Sequence, residues 1–254
     1  MQVNRRTLFS SAIATAATLA VPGIIGLAQE ATPEPGSVAT PGYGIARVRQ
    51  HPTAELAQAV YPDVMSQFLP PTAAVPGYAG YIFAFDDADP AVTINITLLA
   101  DATAADAANA VAQDYVQGMD PRLMPETSLA EQGEIRIFQS TERPRTELPP
   151  LLTGCHITMR HRLNAPDTDI EGVIAAAADG FGPIIRDMNG YVLYGWMHTN
   201  GGRVSFNIWE TVAQLEAGNE AVAAFVADNP VITSEGETLV HNGVIGYSDI
   251  FGRN

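Results

Sequence analysis

Apolar residues recur along this chain with two periods, a two-residue period typical of strands and a three-to-four-residue period typical of helices. In the first half, these periods predict strand 44–51, helix 53–68 before two prolines, strand 78–85, strand 92–99, helix 101–117 and strand 134–139. In the second half, they predict strand 155–162, helix 169–178, strand 191–197, strand 204–209, helix 212–227 and strand 244–249. The order strand–helix–strand–strand–helix–strand therefore occurs twice. It is the order of a ferredoxin-like unit, an antiparallel sheet with helices on one face.

The two halves can be overlaid in sequence at a constant offset of 110 residues without a gap. This places His51 on His161 and Asn109 on Asn219. Identities are few, but the periods change at the same places in both halves. We therefore predict an α+β protein made of two ferredoxin-like repeats, packed sheet to sheet as a pseudo-dimeric barrel within one chain.

The third strand of each half has one apolar and one mixed face. In the second half, the two faces are Val204, Phe206 and Ile208 against Ser205, Asn207 and Trp209. Because side chains alternate between the faces of a strand, we expect the apolar face to meet the helices and the mixed face to line the barrel. The alternative is that the polar residues face solvent in two separate sandwiches.

The chain begins with Asn4-Arg5-Arg6-Thr7-Leu8-Phe9 and an apolar, alanine-rich stretch to Leu27. This pattern resembles a twin-arginine export signal. We therefore expect an exported, extracellular or cell-envelope protein, with an uncleaved membrane anchor as the alternative. The predicted segments are a signal peptide 1–28, a spacer 29–43, repeat one 44–140, a linker 141–153 and repeat two 154–254.

The charge of the chain limits its partners. All 13 basic residues are arginines, set against 28 acidic residues, for a formal net charge of −15. Such a field disfavours nucleic acid, and we expect membrane contact only if the signal is uncleaved. With no lysine, Schiff-base catalysis is excluded. The single Cys155 excludes an intrachain disulfide and a cysteine metal cluster.

A resemblance to a known superfamily rests on two stretches. These are Pro76-Gly77-Tyr78-Ala79-Gly80-Tyr81, and Gly190-Tyr191 leading through Val204-Ser205-Phe206-Asn207-Ile208-Trp209 into an alanine-rich helix. They resemble the dimeric α+β barrel superfamily with its antibiotic-biosynthesis-monooxygenase-like domains. The resemblance implies a barrel of two units, with small ligands held between sheet and helices. Its members include cofactor-free quinol oxygenases and haem-degrading enzymes.

The candidate ligand-binding residues lie in the second half: Asn207, Trp209, Arg160, His156, Tyr194, Trp196 and His198. The first half offers only Asn95, Thr97 and Leu99 at the matching third-strand positions, so we expect a plainer face there. His51 and His161 are interpreted as turn or cap residues. Asn109 and Asn219 interrupt apolar helix stripes, and we expect each to tie its helix to a neighbouring loop or strand end.

No cofactor and no metal site are expected. The chain has no His-x-His or His-Glu-x-x-His spacing. The resemblance implies, for haem-degrading members, an iron-binding histidine on the helix after Trp209, and residues 211–228 contain none. Two hypotheses follow. The first is a non-catalytic or small-molecule-binding exported barrel with an apolar or aromatic ligand. The alternative is a cofactor-free monooxygenase-like enzyme that oxidises an aromatic or quinol-type substrate.

Overall fold

The computed structural model describes residues 41–232 and 234–252, so the predicted signal peptide and residues 29–40 of the spacer lie outside the described residues. The eight strands are β1 (Tyr43–Gln50), β2 (Tyr78–Asp86), β3 (Val92–Leu99), β4 (Glu126–Ser140), β5 (His156–Leu163), β6 (Tyr191–Thr199), β7 (Gly202–Trp209) and β8 (Glu235–Ser248). The helices are α1 (Ala54–Asp63), α2 (Leu69–Ala73), α3 (Ala102–Gly118), α4 (Ile170–Ala175), α5 (Gly182–Arg186) and α6 (Val212–Asp228).

The strands form one closed antiparallel barrel in the order β1-β3-β2-β8-β5-β7-β6-β4. Closure satisfies every strand edge by pairing, so no edge is left for another chain to extend. Two seams join the halves, β2 with β8 and β4 with β6. The predicted mixed α+β barrel within one chain is confirmed.

The last strand of each half makes the closure possible because it is much longer than its apolar pattern predicts. In β4, Glu126–Glu134 pairs with β1 while Gly133–Ser140 continues along β6. In β8, residues 235–244 pair with β5 and residues 243–248 with β2. The first part of each strand is largely exposed, so it carries little of the apolar alternation that marks a half-buried strand.

The barrel interior is filled with apolar side chains from all eight strands. Ile94, Ile96 and Leu98 point into it from β3, and Val204, Phe206 and Ile208 from β7. The expectation that the mixed face lines the barrel is therefore wrong. A closed eight-stranded barrel has little interior space beyond what side chains fill, so its inner face is the driest place in the fold.

The mixed faces point outward, where the helices cover them. Tyr191, Tyr194, Trp196 and Trp209 pack against the second-half helices, and Tyr81 and Phe83 pack against α1 and α3. Both predicted first helices extend further than expected. Each continues from its α-helix (α1 or α4) through a π-helical turn, Val64–Phe68 or Ala176–Phe181, into α2 or α5. Pro70 and Pro183 lie in the first turn of α2 and α5, where the fixed φ of proline suits a helix.

The segment 141–153 closes one end of the barrel. It contains two short 3₁₀ turns, and its Leu148 and Leu152 join the interior cluster together with Ile250. Cys155 lies in the same cluster, and burial raises the pKa of its thiol to about 11. Across the described ranges 41–232 and 234–252, we find no helix that is both apolar and long enough to cross a membrane.

Strand pairing shows that the gapless 110-residue overlay is wrong for the first part of each half. Arg47 pairs with Asn95 as Arg160 pairs with Ser205, which aligns Arg47 with Arg160 at an offset of 113. From the third strand onward, the offset is 110, as predicted. The difference lies in the hairpin loops, because five residues separate β2 from β3 and only two separate β6 from β7.

Candidate functional site

Two cavities lie between the barrel wall and the helices, one in each half. The π-helical turns and the long helices α3 and α6 roof them. The space open to the centre of a water molecule is about 20 Å³ in the first-half cavity and about 30 Å³ in the second. Either has room for roughly one water. Each cavity is walled by three rings in tilted or edge contact, which are Phe68, Tyr81 and Tyr115 in the first half and Phe181, Tyr194 and Phe225 in the second.

Arginines give both cavities their charge. Five of the 13 arginines line them: Arg47 and Arg49 in the first half, and Arg160, Arg162 and Arg203 in the second. Among the described residues, no ion pair involves Arg47, Arg49, Arg160 or Arg162. Burial, followed by the charge of the neighbouring arginine, lowers the pKa of Arg47 to about 10 and that of Arg160 to about 10. Both remain charged at neutral pH, so the fold holds desolvated positive charge.

Each half anchors one of these arginines in the same way. Arg47 donates to Asn109 of α3, whose amide donates to Gln132 of β4 over 2.9 Å. In the second half, Arg160 donates to Asn219 of α6, whose amide donates to Asn242 of β8 over 3.2 Å. The expectation that Asn109 and Asn219 find partners is confirmed. The partners lie on strands inside the sheet, however, and Asn219 also accepts from Thr158 at 2.9 Å.

Three of the seven predicted ligand-binding residues line the second-half cavity: Arg160, Tyr194 and Trp196. Asn207 is 0% exposed and accepts from Arg160 over 3.4 Å, while its own amide nitrogen has no partner among the described residues. It lies behind the cavity wall. Burial raises the pKa of Tyr194 above its usual range, with the charges of Arg160 and Arg162 opposing the shift.

The other three predicted residues do not line that cavity. Trp209 is 0% exposed, packs against Tyr191 with ring centroids 5.8 Å apart, and lies against Gly218 of α6. His198 stacks on Trp196 with the ring planes 6° apart. His156 pairs with Trp209 and is only partly buried. Trp209 is therefore a core residue of the sheet–helix interface.

The first-half cavity is richer in polar groups than the sequence predicted. Tyr81 donates to Asn95 at 2.5 Å, Asn95 donates to Thr93 at 3.4 Å, and Thr93 lies 3.2 Å from Nε2 of His51. All four residues line the cavity. The interpretation of His51 and His161 as equivalent turn residues is wrong. His51 lines the cavity on the helix side of β1, whereas His161 lies 3.4 Å from Glu131 and shares the barrel-facing side of β5 with Met159.

Arginine alternation is the sequence signal for these cavities. Arg47-Val48-Arg49 and Arg160-His161-Arg162 occupy the same positions of the first strand in each half. The gapless overlay shifts the two arginine pairs by three residues relative to each other, so it does not align them. An overlay that allows for the three residues missing from the second-half hairpin does align them.

The donor set does not fit a metal centre. Within residues 41–232 and 234–252, no group of three or more His, Cys, Asp or Glu side chains is close enough to hold an ion. Helix α6, which follows Trp209, contains no histidine. The iron-binding scheme implied by the resemblance to haem-degrading proteins therefore does not fit this helix.

No protein-family model matches the sequence, and no match to a curated protein reaches significance. Solved structures with the same fold do match. An anthrone oxidase-like protein is 13% identical with a TM-score of 0.58, covering 84% of this chain and 94% of its own. A protein from Fusobacterium nucleatum subsp. nucleatum, assigned as a monooxygenase, is 10% identical with a TM-score of 0.59, covering 82% and 94%. A protein assigned as a chlorite dismutase is 12% identical with a TM-score of 0.51, covering 84% and 98%.

These proteins share the dimeric α+β barrel fold with the present chain. At such low identity, the similarity establishes architecture alone. The three carry names of different activities, which is the usual situation for a widely used fold. The function of this chain has to be argued from its own cavities.

Proposed function

We propose that this protein binds a small aromatic molecule carrying an acidic oxygen, such as a phenol or an aromatic carboxylic acid, between the barrel wall and the helices. The observation that carries the proposal is a set of four arginines, Arg47, Arg49, Arg160 and Arg162, that line cavities walled by aromatic rings and make no ion pair within the described part of the chain. The chain has more than twice as many acidic as basic residues, so arginines without a carboxylate partner are unexpected in it.

The physical argument concerns desolvation. Removing a guanidinium from water costs free energy unless an anion or a set of hydrogen-bond acceptors replaces the solvent. For Arg47 and Arg160, asparagine oxygens replace part of the lost solvent as hydrogen-bond acceptors. A bound oxyanion would supply the remaining acceptors through charge-assisted hydrogen bonds, and the rings would bury its apolar body.

The test is calorimetric titration of the purified protein with benzoate, 2-hydroxybenzoate and the neutral amide benzamide, with acetate as a control for charge alone. We expect the aromatic acids to bind more tightly than benzamide and acetate to bind negligibly. Absence of binding by every aromatic probe would contradict the proposal.

A second candidate function is oxidation of the bound molecule by O₂ without a cofactor. Two fold neighbours, the anthrone oxidase-like protein and the protein assigned as a monooxygenase, favour it. The cavity arginines would stabilise the deprotonated substrate, which is the form that gives up electrons to O₂. For an anthrone-like ring methylene, the balanced reaction takes O₂, places one oxygen on the carbon as a carbonyl and releases the other as water with the two methylene hydrogens. Oxygen uptake with such a substrate, lost in Arg49→Met or in Arg160→Met, which test one cavity each, would support this candidate, and uptake no faster than without protein would rule it out.

We make two further proposals, one about internal repeats in the chain and one about its export. We interpret the chain as two fused ferredoxin-like repeats, with boundaries near 44–140 and 154–254. The strand order β4-β1-β3-β2 in one half and β8-β5-β7-β6 in the other supports this interpretation. We also propose export by the twin-arginine route, which the Arg5-Arg6 pair and the apolar stretch after it support.

A further inference from the structure

The two cavities differ in how completely their polar groups are satisfied. In the second half, Arg160 donates to Asn207 and Asn219, Arg162 donates to Thr238, and Arg203 donates to Asn164. None of the residues lining this cavity has a buried polar side-chain atom without a partner among the described residues. Each of its three arginines is thus hydrogen-bonded to side chains of the fold, and these bonds stabilise the fold without a ligand.

The first-half cavity has three buried polar atoms without a partner in the described structure. They are Nε of Arg49, Nδ1 of His51 and the hydroxyl of Tyr115, and all three residues line the cavity. Buried polar groups normally have hydrogen-bond partners, because an unpaired group costs about 1–3 kcal/mol. Three such atoms around one cavity therefore point to a missing partner.

The direction of the neighbouring hydrogen bonds shows what kind of partner is missing. Tyr81 donates to Asn95, and Asn95 donates to Thr93, so the Thr93 hydroxyl proton is available for Nε2 of His51. Burial and the charge of Arg49 lower the pKa of His51, so its ring is neutral at pH 7 and carries one proton. We assign the Thr93 proton to the Thr93–His51 hydrogen bond, so that Nε2 accepts and the ring proton lies on Nδ1. His51, Arg49 and Tyr115 then all present donors.

Resting on the proposed function, we infer that the first-half cavity is the ligand site, and that it selects an aromatic acid with at least two acceptor oxygens. Arg47 and Arg49 also border an adjoining surface cleft of about 370 Å³, lined by Gln113 and Gln117 of α3. The acidic group of the ligand lies at these arginines, and its ring lies against Phe68 and Phe83. The second-half cavity is the structural counterpart.

The cavity holds only a water-sized molecule as it stands, so a ring has to displace part of its roof. The roof includes the π-helical turn Val64–Phe68, a short segment of a rare helix type. We expect amide exchange in this turn to slow when the ligand binds, while exchange in the matching turn Ala176–Phe181 is unchanged.

The chain provides matched controls for the test. Arg162 is the second-half equivalent of Arg49. Phe225 is the second-half equivalent of Tyr115, so Tyr115→Phe introduces the residue that the second half has at this position. We would titrate benzoate, 2-hydroxybenzoate and benzamide into the parent protein and into Arg49→Met, Tyr115→Phe and Arg162→Met, and measure thermal unfolding of each without ligand.

We expect one 2-hydroxybenzoate per chain, with affinity reduced about tenfold in Arg49→Met and in Tyr115→Phe and unchanged in Arg162→Met. Both first-half variants remove an unpaired polar atom, so they should unfold at the parent temperature or above it. Normal binding by Tyr115→Phe, or a larger loss in Arg162→Met than in Arg49→Met, would overturn the assignment to the first half while leaving the proposed function intact. No aromatic binding at all would overturn both.

Discussion

Gly218 and Trp209 form a pair whose energetics can be worked out from the structure. An ideal Cβ on Gly218 would lie 2.3 Å from Cζ2 and 2.6 Å from Cε2 of Trp209. Ordinary carbon contacts are about 3.5–4.0 Å, so an added methyl has to move α6 or the indole by roughly 1 Å. The indole is fully buried and cannot swing into solvent.

Two opposing terms decide the effect of Gly218→Ala. In a helix interior, alanine is better than glycine by about 1 kcal/mol. Overpacking a well-packed core costs about 1–3 kcal/mol, and the overlap here is with the body of a rigid ring. We expect overpacking to win, because the overlap exceeds about 1 Å, so the variant should be less stable by up to about 2 kcal/mol. Stabilisation by the full helix-propensity gain would refute the reasoning.

The first half of the chain indicates the compensating change. Ala108 and Leu99 occupy the positions of Gly218 and Trp209, and both are buried in one cluster. Trp209→Leu alone should cost about 2 kcal/mol, because it leaves part of the indole volume empty. The double variant Gly218→Ala/Trp209→Leu recreates the first-half pair and should be more stable than additivity predicts by at least about 1 kcal/mol.

Urea unfolding of the parent, both single variants and the double variant gives this coupling energy directly. Denaturation slopes should stay constant across the set. The matched control is Ala108→Gly in the first half, where no indole is present. It should destabilise through backbone entropy and the loss of one buried methyl group, by about 1–2 kcal/mol. An additive double variant would mean that the contact does not limit the packing of α6.

Two further predictions follow from the described contacts and the sequence. Asn207→Ala should lower the free energy of unfolding by about 1–3 kcal/mol, because it removes a hydrogen-bond acceptor from buried Arg160. Thermal unfolding measures this change. An unchanged melting temperature would show that the 3.4 Å contact between the two side chains contributes nothing to stability. Replacing both Arg5 and Arg6 with lysine should leave precursor inside the cell, detected by fractionation and immunoblotting, whereas normal secretion of the double variant would favour the general export pathway.

Apolar periodicity predicted the long helices because each buries one side only, and it predicted strands such as β3 and β7 because their barrel-facing positions are all apolar. Val92–Leu99 and the helix from residue 212 match their predicted starts. The exposed beginnings of β4 and β8 were missed, since pairing between backbones leaves no apolar signature there. The helical continuations at Pro70 and Pro183 were missed because proline is tolerated in a first helical turn.

The candidate site was harder to predict, because face assignment depends on closure. In an open ferredoxin-like sheet, the helices cover the apolar face. Once the barrel closes, its interior becomes the apolar face, and the residues under the helices are the mixed ones. Arg160, Tyr194 and Trp196 were found because they share one face of neighbouring strands, which alternation predicts whichever side that face meets. Arg49 and Tyr115 were missed because only the three-dimensional register places them together.

Barrel closure also explains how the two halves tolerate different side chains at matching positions. Gly195 pairs with Phe206 in the second half, where Ile82 pairs with Ile96 in the first. A Cβ on Gly195 would lie 2.2 Å from the ring of Phe206, so the large residue requires the small partner. In the second-half pair, a large residue thus lies against a residue without a side chain, whereas the two first-half residues are of equal size. Gly218 and Trp209 form a second pair of this kind, where the first half has Ala108 and Leu99. Such pairs keep the strand register and the packing of the helices, which leaves the polar residues of the two cavities free to diverge in function.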